Sequence, residues 1–200
     1  CGKMSFIRGR HRPDEEQDIH ATEVLLEALQ QIAIFDADPT PALEFRNLNG
    51  STLVGDWLAV HPGSGSEKKN WPITRWIELI EQIARARTER FMIVGGEADR
   101  ERLNDLRGRF FGERFQFVEN RPLVEVARRL QQCRAFVGHD SGVTHLAAAV
   151  GIPGLCLWGE TREAIWRPRS ERFAIVKHED GLAELDPAEV GRQLTALLVG

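Results

Sequence analysis

From Trp57 to its end, the chain alternates short apolar runs with longer segments of helical period. Trp57–Val60, Phe91–Val94, Phe115–Val118, Ala135–Val137, Leu155–Trp158 and Phe173–Val176 each read as a strand. Helical spacing covers Ile73–Ala86, Asp99 to about Phe110, Leu123–Gln132, Val143–Val150, a short turn near Arg162–Ile165, and Pro187–Leu198. In the first of these, Trp76, Ile77, Ile80 and Ile83 fall on one face. Strands this short and continuously apolar, each followed by a helix, predict a six-stranded parallel sheet covered on both faces. Right-handed crossovers then make it a doubly wound α/β domain. The chain before Trp57 is less regular. Residues 1–13 read as loop, and Asp14–Ile32 as a helix with Val24, Leu25, Ala28, Leu29 and Ile32 on one face. Asp38-Pro39-Thr40-Pro41 is a connection, Ala42–Phe45 an extended segment and Asn47–Thr52 a polar loop. The expected division is a linker and helix over 1–52 and the doubly wound domain over 53–200.

The chain has 200 residues, 42% of them hydrophobic, which supplies the core of one domain with an appendage. A net charge of −4 leaves no overall basic field to draw nucleic acid. Arg8, Arg10 and Arg12 cluster, but Asp14, Glu15 and Glu16 follow at once, as on a solvated face. Cys1, Cys133 and Cys156 show no metal or redox spacing, and the last two lie in or beside apolar segments. Buried thiols in a reducing, cytoplasmic setting are expected. The longest apolar stretch, Leu146–Trp158, is broken by Pro153 and too short to span a bilayer. No secretory signal is evident. Because it opens on Cys1-Gly2 rather than on Met, the chain reads as a piece of a longer one. His11, His20, His139 and His178 lack ligand spacing, so neither metal nor cofactor is expected.

The chemistry concentrates in two polar turns. Gly138-His139-Asp140-Ser141-Gly142-Val143-Thr144-His145-Leu146 follows the fourth strand and opens a helix on Gly, Ser and Thr. Backbone N–H groups and small hydroxyls at a helix start make an anion site. His61-Pro62-Gly63-Ser64-Gly65-Ser66 follows the first strand. In the common doubly wound order 3-2-1-4-5-6, strands one and four flank the switch point, where ligands bind beyond the strand ends. The two turns are thus expected to face each other across one crevice. Lys68 and Lys69 follow the first turn; either is a surface charge or a ligand for anionic oxygens, and Lys69 is favoured as the functional one. Pro72 near a helix start is ordinary capping. Glu97, after Gly95-Gly96 at the end of strand two, stands where such folds hold ribose hydroxyls. It equally suits a helix-start acid favoured by the dipole. Trp158 flanks a base or belongs to the core. His145 is structural or donates a hydrogen bond to phosphate.

These residues carry a resemblance. The set His61-Pro62-Gly63-Ser64-Gly65, Lys69-x-Trp71-Pro72, Gly95-Gly96-Glu97, Asp140-Ser141-Gly142-x-x-His145-Leu146-Ala147-Ala148-Ala149, Gly151-x-Pro153 and Trp158-Gly159-x-Thr161 resembles glycosyltransferase family 9. Its members are the heptosyltransferases of the lipopolysaccharide inner core. The resemblance covers roughly residues 57–168 and implies a GT-B fold of two Rossmann-like domains with the active cleft between them. This chain then supplies the carboxyl-terminal, nucleotide-sugar-binding half, with ADP-heptose as the typical donor. It implies that Ser64 and Lys69 contact the donor phosphates and that Glu97 holds the ribose. Asp140, Ser141, Gly142 and His145 then form the pyrophosphate and donor-sugar site. Gly65, Ser66, Thr144 and Trp158 complete the candidate ligand contacts.

The resemblance further implies inverting transfer, in which an acceptor hydroxyl attacks the anomeric carbon and a nucleoside diphosphate leaves. Lys69 is the candidate catalytic residue, stabilising that leaving group. Two departures stand out. Glu160 occupies the place of the family's usual Pro after the strand-five glycine. The amino-terminal domain, which binds the acceptor and supplies a carboxylate base, has no counterpart in the sequence. The partners implied are a nucleotide sugar and a lipopolysaccharide-core acceptor, without nucleic acid or a transmembrane segment; a peripheral membrane contact is compatible with that acceptor. Two alternatives stay open: a non-catalytic nucleotide-sugar binding module, and another GT-B enzyme such as a UDP-sugar epimerase or an N-acetylglucosaminyltransferase.

Overall fold

The computed structural model describes residues 6–10, 12–45 and 55–199. Six parallel strands form one sheet in the order β3-β2-β1-β4-β5-β6. They are β1 Trp57–His61, β2 Arg90–Gly95, β3 Phe115–Glu119, β4 Cys133–His139, β5 Gly154–Leu157 and β6 Phe173–Val176. The helices are α1 Ala21–Leu26, α2 Ile73–Ala86, α3 Arg100–Arg109, α4 Leu123–Leu130, α5 Gly142–Ala149, α6 Glu163–Trp166 and α7 Pro187–Val199. The strand order is the expected one, and it places β1 against β4 at the centre. Among the described residues, no helix is long and apolar enough to cross a membrane.

Alternation along the strands produces two cores. Leu58 and Val60, Phe91 and Ile93, Ala135 and Val137, and Leu155 and Leu157 face one side. They pack there on Trp76, Leu79, Ile80 and Ile83 of α2, Leu103 and Leu106 of α3, and Val190, Leu194 and Leu198 of α7. Ala59, Met92, Val94, Phe136 and Cys156 face the other, against Val126 and Leu130 of α4 and Ala147 and Ala148 of α5. A strand buried on both faces must be apolar at every position, which is why its sequence shows runs rather than alternation. Cys133 and Cys156 are free and buried, as expected. Burial pushes the Cys133 thiol up to about 12, so it is an inert packing group.

Several expectations need correction. The helix read over Asp14–Ile32 begins only at Ala21. Asp14 turns its carboxylate onto the Glu16 N–H and closes a local turn instead. His20 then starts the helix by accepting the Thr22 N–H. From Glu27 the backbone tightens into a 3-10 helix that ends at Ala33 in the left-handed region, at φ 60°. Of the proposed apolar face Val24 is buried, whereas Leu25 and Ile32 are exposed. Residues 42–45, expected to be extended, join no strand; the Leu43 N–H donates to the Ala149 carbonyl at 2.8 Å. Strand β4 runs on through Gly138 and His139, which pair with His61 of β1 and Leu157 of β5. The polar turn after it is therefore shorter than the sequence suggested. The loop expected at 47–52 lies outside the described residues, as do Cys1 and His11.

Trp76 ties the α2 core to the loop beyond β1. Its ring is fully buried and stands edge-on to both Trp71 and His139, with centroids 5.2 and 5.3 Å away. Trp76→Ala is expected to lower stability by about 3–5 kcal/mol, since neighbours on three elements cannot all collapse into the space. Urea unfolding checks this; an unchanged midpoint would show that Trp76 is replaceable.

Candidate functional site

The switch point at the carboxyl ends of β1 and β4 opens into a cleft of about 500 Å³. His61, Ser64 and Gly65 line it from the first strand and its turn, and Gly96 and Asp99 from the segment after β2. Ser141, Gly142, Val143, His145 and Leu146 line it from the start of α5. The two Gly/Ser turns thus face each other, as the sequence predicts. Ser141 caps α5 with extended backbone, its hydroxyl accepting the Thr144 N–H. The Gly142 and Val143 N–H groups precede the first intrahelical bond of α5, and both residues line this space.

A second cluster adjoins the cleft through the Asp140–Ser141 peptide. Lys69 Nζ donates to Asp140 Oδ2 at 2.9 Å, and the Thr161 hydroxyl donates to the same oxygen at 2.8 Å. Asp140 is nearly buried, with its side chain 10% exposed, whereas that of Lys69 is 36% exposed. The lysine therefore reaches in from the rim and the carboxylate is held from within. Thr161 is held in turn by its backbone carbonyl, which accepts the Trp158 indole N–H at 2.7 Å.

Below the cleft, His139 is fully buried. Its Nε2 accepts the Trp71 N–H at 2.8 Å, so the proton sits on Nδ1 and is donated to the Gly63 carbonyl at 3.2 Å. Burial pushes its pKa down to about 3, so the ring is neutral. His61 connects the two walls. Its Nδ1 lies 3.1 Å from Ser141 Oγ and its Nε2 lies 3.5 Å from Asp99 Oδ2. Asp99 also accepts the Gly96 N–H at 2.8 Å. Burial works against its charge, but His61, the Gly96 N–H and Arg102 overcome this and hold its pKa below the usual range. A Cβ on Gly63 would lie 1.6 Å from Asp99 Oδ1, so that turn needs glycine to admit the carboxylate.

The structure brings Ser64, Gly65, Ser141, Gly142 and His145 to the cleft, and Lys69 with Asp140 beside it. Burial lowers the His145 pKa, with Asp140 partly offsetting it. The Ser64 hydroxyl donates to the Ser66 carbonyl at 2.8 Å, so it also shapes its own loop. Thr144 is buried and donates its hydroxyl to the His139 carbonyl; it builds the turn rather than facing a ligand. Glu97 opens onto an outer hollow of about 540 Å³ shared with Glu67, Arg100 and Arg102. It heads the 3-10 turn before α3, so position serves both readings of it. Trp158 does not reach the cleft: it is 2% exposed within the α4–α5 core. Lys68 is exposed.

Four side chains that organise the site had no assigned role in the sequence. His61 and His139 end apolar strands, where polarity at a parallel strand terminus was the available signal. Thr161 stands in a quoted motif, yet only proximity to Asp140 reveals its use. Asp99 read as the first residue of a helix.

The fold and this cleft define a doubly wound domain with a polar crevice, opened on a helix start, at its switch point. The family model for glycosyltransferase family 9 (heptosyltransferase) matches residues 29–189. Lipopolysaccharide heptosyltransferase 1 of Salmonella typhimurium is 31% identical over 193 residues, covering 92% of this chain and 59% of that protein. The protein of the same name from Pseudomonas aeruginosa is 33% identical over 134 residues, covering 66% and 33%. Among solved structures, a glycosyl transferase family 9 protein from Veillonella parvula matches with a TM-score of 0.76 at 17% identity, covering 98% of this chain and 62% of that one. An E. coli heptosyltransferase solved with ADP gives 0.67 at 19% identity, covering 90% and 50%. The chain belongs to glycosyltransferase family 9. It spans 33% and 59% of the lengths of the two relatives named.

The neutral state of His139 has a pH signature. Its pKa falls from 6.5 to about 3 on folding, so the unfolded chain binds the extra proton between these values. Its contribution to stability is complete above pH 6.5 and is lost progressively as pH falls toward about 3. At most this one group removes about 1.4 kcal/mol per pH unit in that window. Urea unfolding between about pH 6.5 and about pH 4.5 should show a steeper fall for the native protein than for His139→Asn. Equal slopes would show that the ring titrates normally.

Proposed function

We propose that this chain is the donor-binding half of an inverting glycosyltransferase. In this reading it holds an ADP-sugar, a heptose donor, for transfer to a lipopolysaccharide-core acceptor. The observation that carries it is the meeting of Lys69 and Asp140 at 2.9 Å beside the start of α5. A cation, a carboxylate and a helix N-terminus at one switch point suit a ligand with both phosphate and sugar hydroxyls. Family membership and the heptosyltransferase relatives support the same donor class.

The chemistry follows from charge. As the acceptor hydroxyl attacks the anomeric carbon, the bond to the diphosphate breaks and negative charge collects on the leaving oxygen. Lys69 and the N–H groups at Ser141 and Gly142 stand where that charge develops. Such preorganised donors contribute about 2.7–4 kcal/mol each to transition-state stabilisation. Asp140, fixed by Thr161 and Lys69, serves the donor sugar as a hydrogen-bond acceptor. Glu97 is assigned to the ribose. In this reading residues 1–52 form the linker and helix entering the domain, and residues 53–200 the domain itself. The acceptor and the base that deprotonates it are assigned to the other half of a GT-B fold, working in the cytoplasm at a membrane-associated acceptor. The buried, reduced thiols fit that compartment.

Calorimetric titration with ADP is expected to give measurable binding, weaker for UDP and GDP. Lys69→Ala is expected to weaken ADP binding by about tenfold to a hundredfold and adenosine binding little. Equal losses for both would overturn the phosphate role. Absence of heat at millimolar ADP would overturn the donor assignment.

A further inference from the structure

The Ser141 hydroxyl has one proton and three neighbours. His61 Nδ1 lies at 3.1 Å and Thr144 Oγ1 at 3.2 Å, and the Thr144 N–H reaches it at 3.4 Å. Thr144 Oγ1 uses its own proton on the His139 carbonyl, so toward Ser141 it can only accept. What Ser141 shows the cleft therefore depends on His61. Asp99 lies 3.5 Å from His61 Nε2 and draws a ring proton to that side. In a neutral ring Nδ1 is then a bare lone pair, and Ser141 must donate to it. Ser141 thereby offers the cleft only lone pairs, which repel an anionic oxygen. A second proton on the ring reverses this. Nδ1–H donates to Ser141 Oγ, and the hydroxyl proton becomes available to the cleft. The competing acceptor, Thr144 Oγ1, is neutral and weaker than a phosphate oxygen.

We propose that the Asp99–His61 pair is a positioning device that turns Ser141 from acceptor to donor toward a bound diphosphate, so that binding takes up a proton on His61. The inference rests on the reading that the cleft receives a nucleoside diphosphate. The groups around the ring set the direction. Asp99, from the turn after β2, faces Nε2, and an incoming diphosphate adds negative charge on the Ser141 side. Arg102 of α3 acts on Asp99, and the His61 side chain is 4% exposed. His139 of β4 is neutral and adds no charge. Across the cleft, burial disfavours charge on His145, and the Lys69–Asp140 pair beside Ser141 is internally neutralised. His61 is thus the group facing Ser141 that can gain a proton when phosphate arrives.

The test is calorimetry with ADP in buffers of different ionisation enthalpy, from about pH 6 to about pH 8. Native protein, His61→Gln, Asp99→Asn and Ser141→Ala are compared. Titration of ADP itself is common to all four, so differences between them isolate the ring. Native protein should take up as much as one proton more than His61→Gln, with affinity falling up to about tenfold per pH unit as pH rises. Ser141→Ala should bind about tenfold more weakly and take up fewer protons, because the hydroxyl no longer couples ring to ligand. Asp99→Asn should take up less than half as much as native protein, and it carries the comparison if circular dichroism shows His61→Gln unfolded. Equal uptake in native protein and either ring-pair variant overturns the inference while leaving the diphosphate site standing. Undiminished uptake in Ser141→Ala overturns it too, by showing a plain charge effect. Failure of native protein to bind ADP overturns both.

Discussion

The loop that leaves β1 has no neighbouring strand to pair with, and one buried imidazole ties both of its ends to β4. His139 accepts the N–H of Trp71 and donates to the carbonyl of Gly63, positions on either side of Lys69 and Ser64. Both bonds run from β4, so the loop of one strand is stitched to the end of the next. The ring can do this only while neutral and in one tautomer, because a second ring proton would face the Trp71 N–H. Complete burial and the edge-on contact with Trp76 enforce that state. A charged ring here would cost free energy through desolvation and through loss of an acceptor at once. The loop that carries Ser64 and Lys69 is thus fastened to the end of β4, close to Ser141, by one side chain buried below the cleft.

Much of the fold was legible because the sheet is buried on both faces. Leu58-Ala59-Val60 and Ala135-Phe136-Val137 have to be apolar throughout, and such runs between helical segments leave little besides a parallel sheet. The switch point followed from strand order, and with it the pairing of the two Gly/Ser turns. The segment before β1 was illegible for a related reason. Asp14 closes a local turn in place of helix and His20 sets where the helix starts, both through short-range hydrogen bonds that apolar spacing does not register. The end of β4 was misread because Gly138 and His139 look like turn residues, whereas pairing with β1 and β5 keeps them in the sheet.

Candidate ligand residues were read from type and position, and the structure divides them by what their polar atoms already hold. The Thr144 hydroxyl is engaged by the carbonyl at the end of β4 and the Ser64 hydroxyl by a carbonyl of its own turn. The Trp158 indole N–H is taken by Thr161. These side chains build the walls. Two of the organising residues, His61 and Asp99, could not be recognised singly. His61 stood out only as a polar strand end and Asp99 only as a helix start, and the closeness of the β1 terminus to the turn after β2 is what pairs them. The glycine at position 63 is the trace this pairing leaves, since any side chain there would occupy the place of the Asp99 carboxylate.

The Lys69–Asp140 pair raises a question of competition. A phosphate that attracts Lys69 must draw it from a carboxylate 2.9 Å away. Were the lysine the only partner of Asp140, its departure would leave a nearly buried charge unpaired, at a cost larger than an exposed ion pair returns. Thr161 changes that balance. Its hydroxyl donates to the same oxygen and is a second partner for the carboxylate, independent of the lysine. Because Trp158 anchors Thr161 from the core, that bond does not depend on the ligand. Lys69, one third exposed, keeps the freedom to be shared between carboxylate and phosphate, which a deeply buried lysine would lack. The site therefore holds its anion rigidly and its cation loosely, which is what the proposed diphosphate donor requires, since its charge would grow as the bond to sugar breaks.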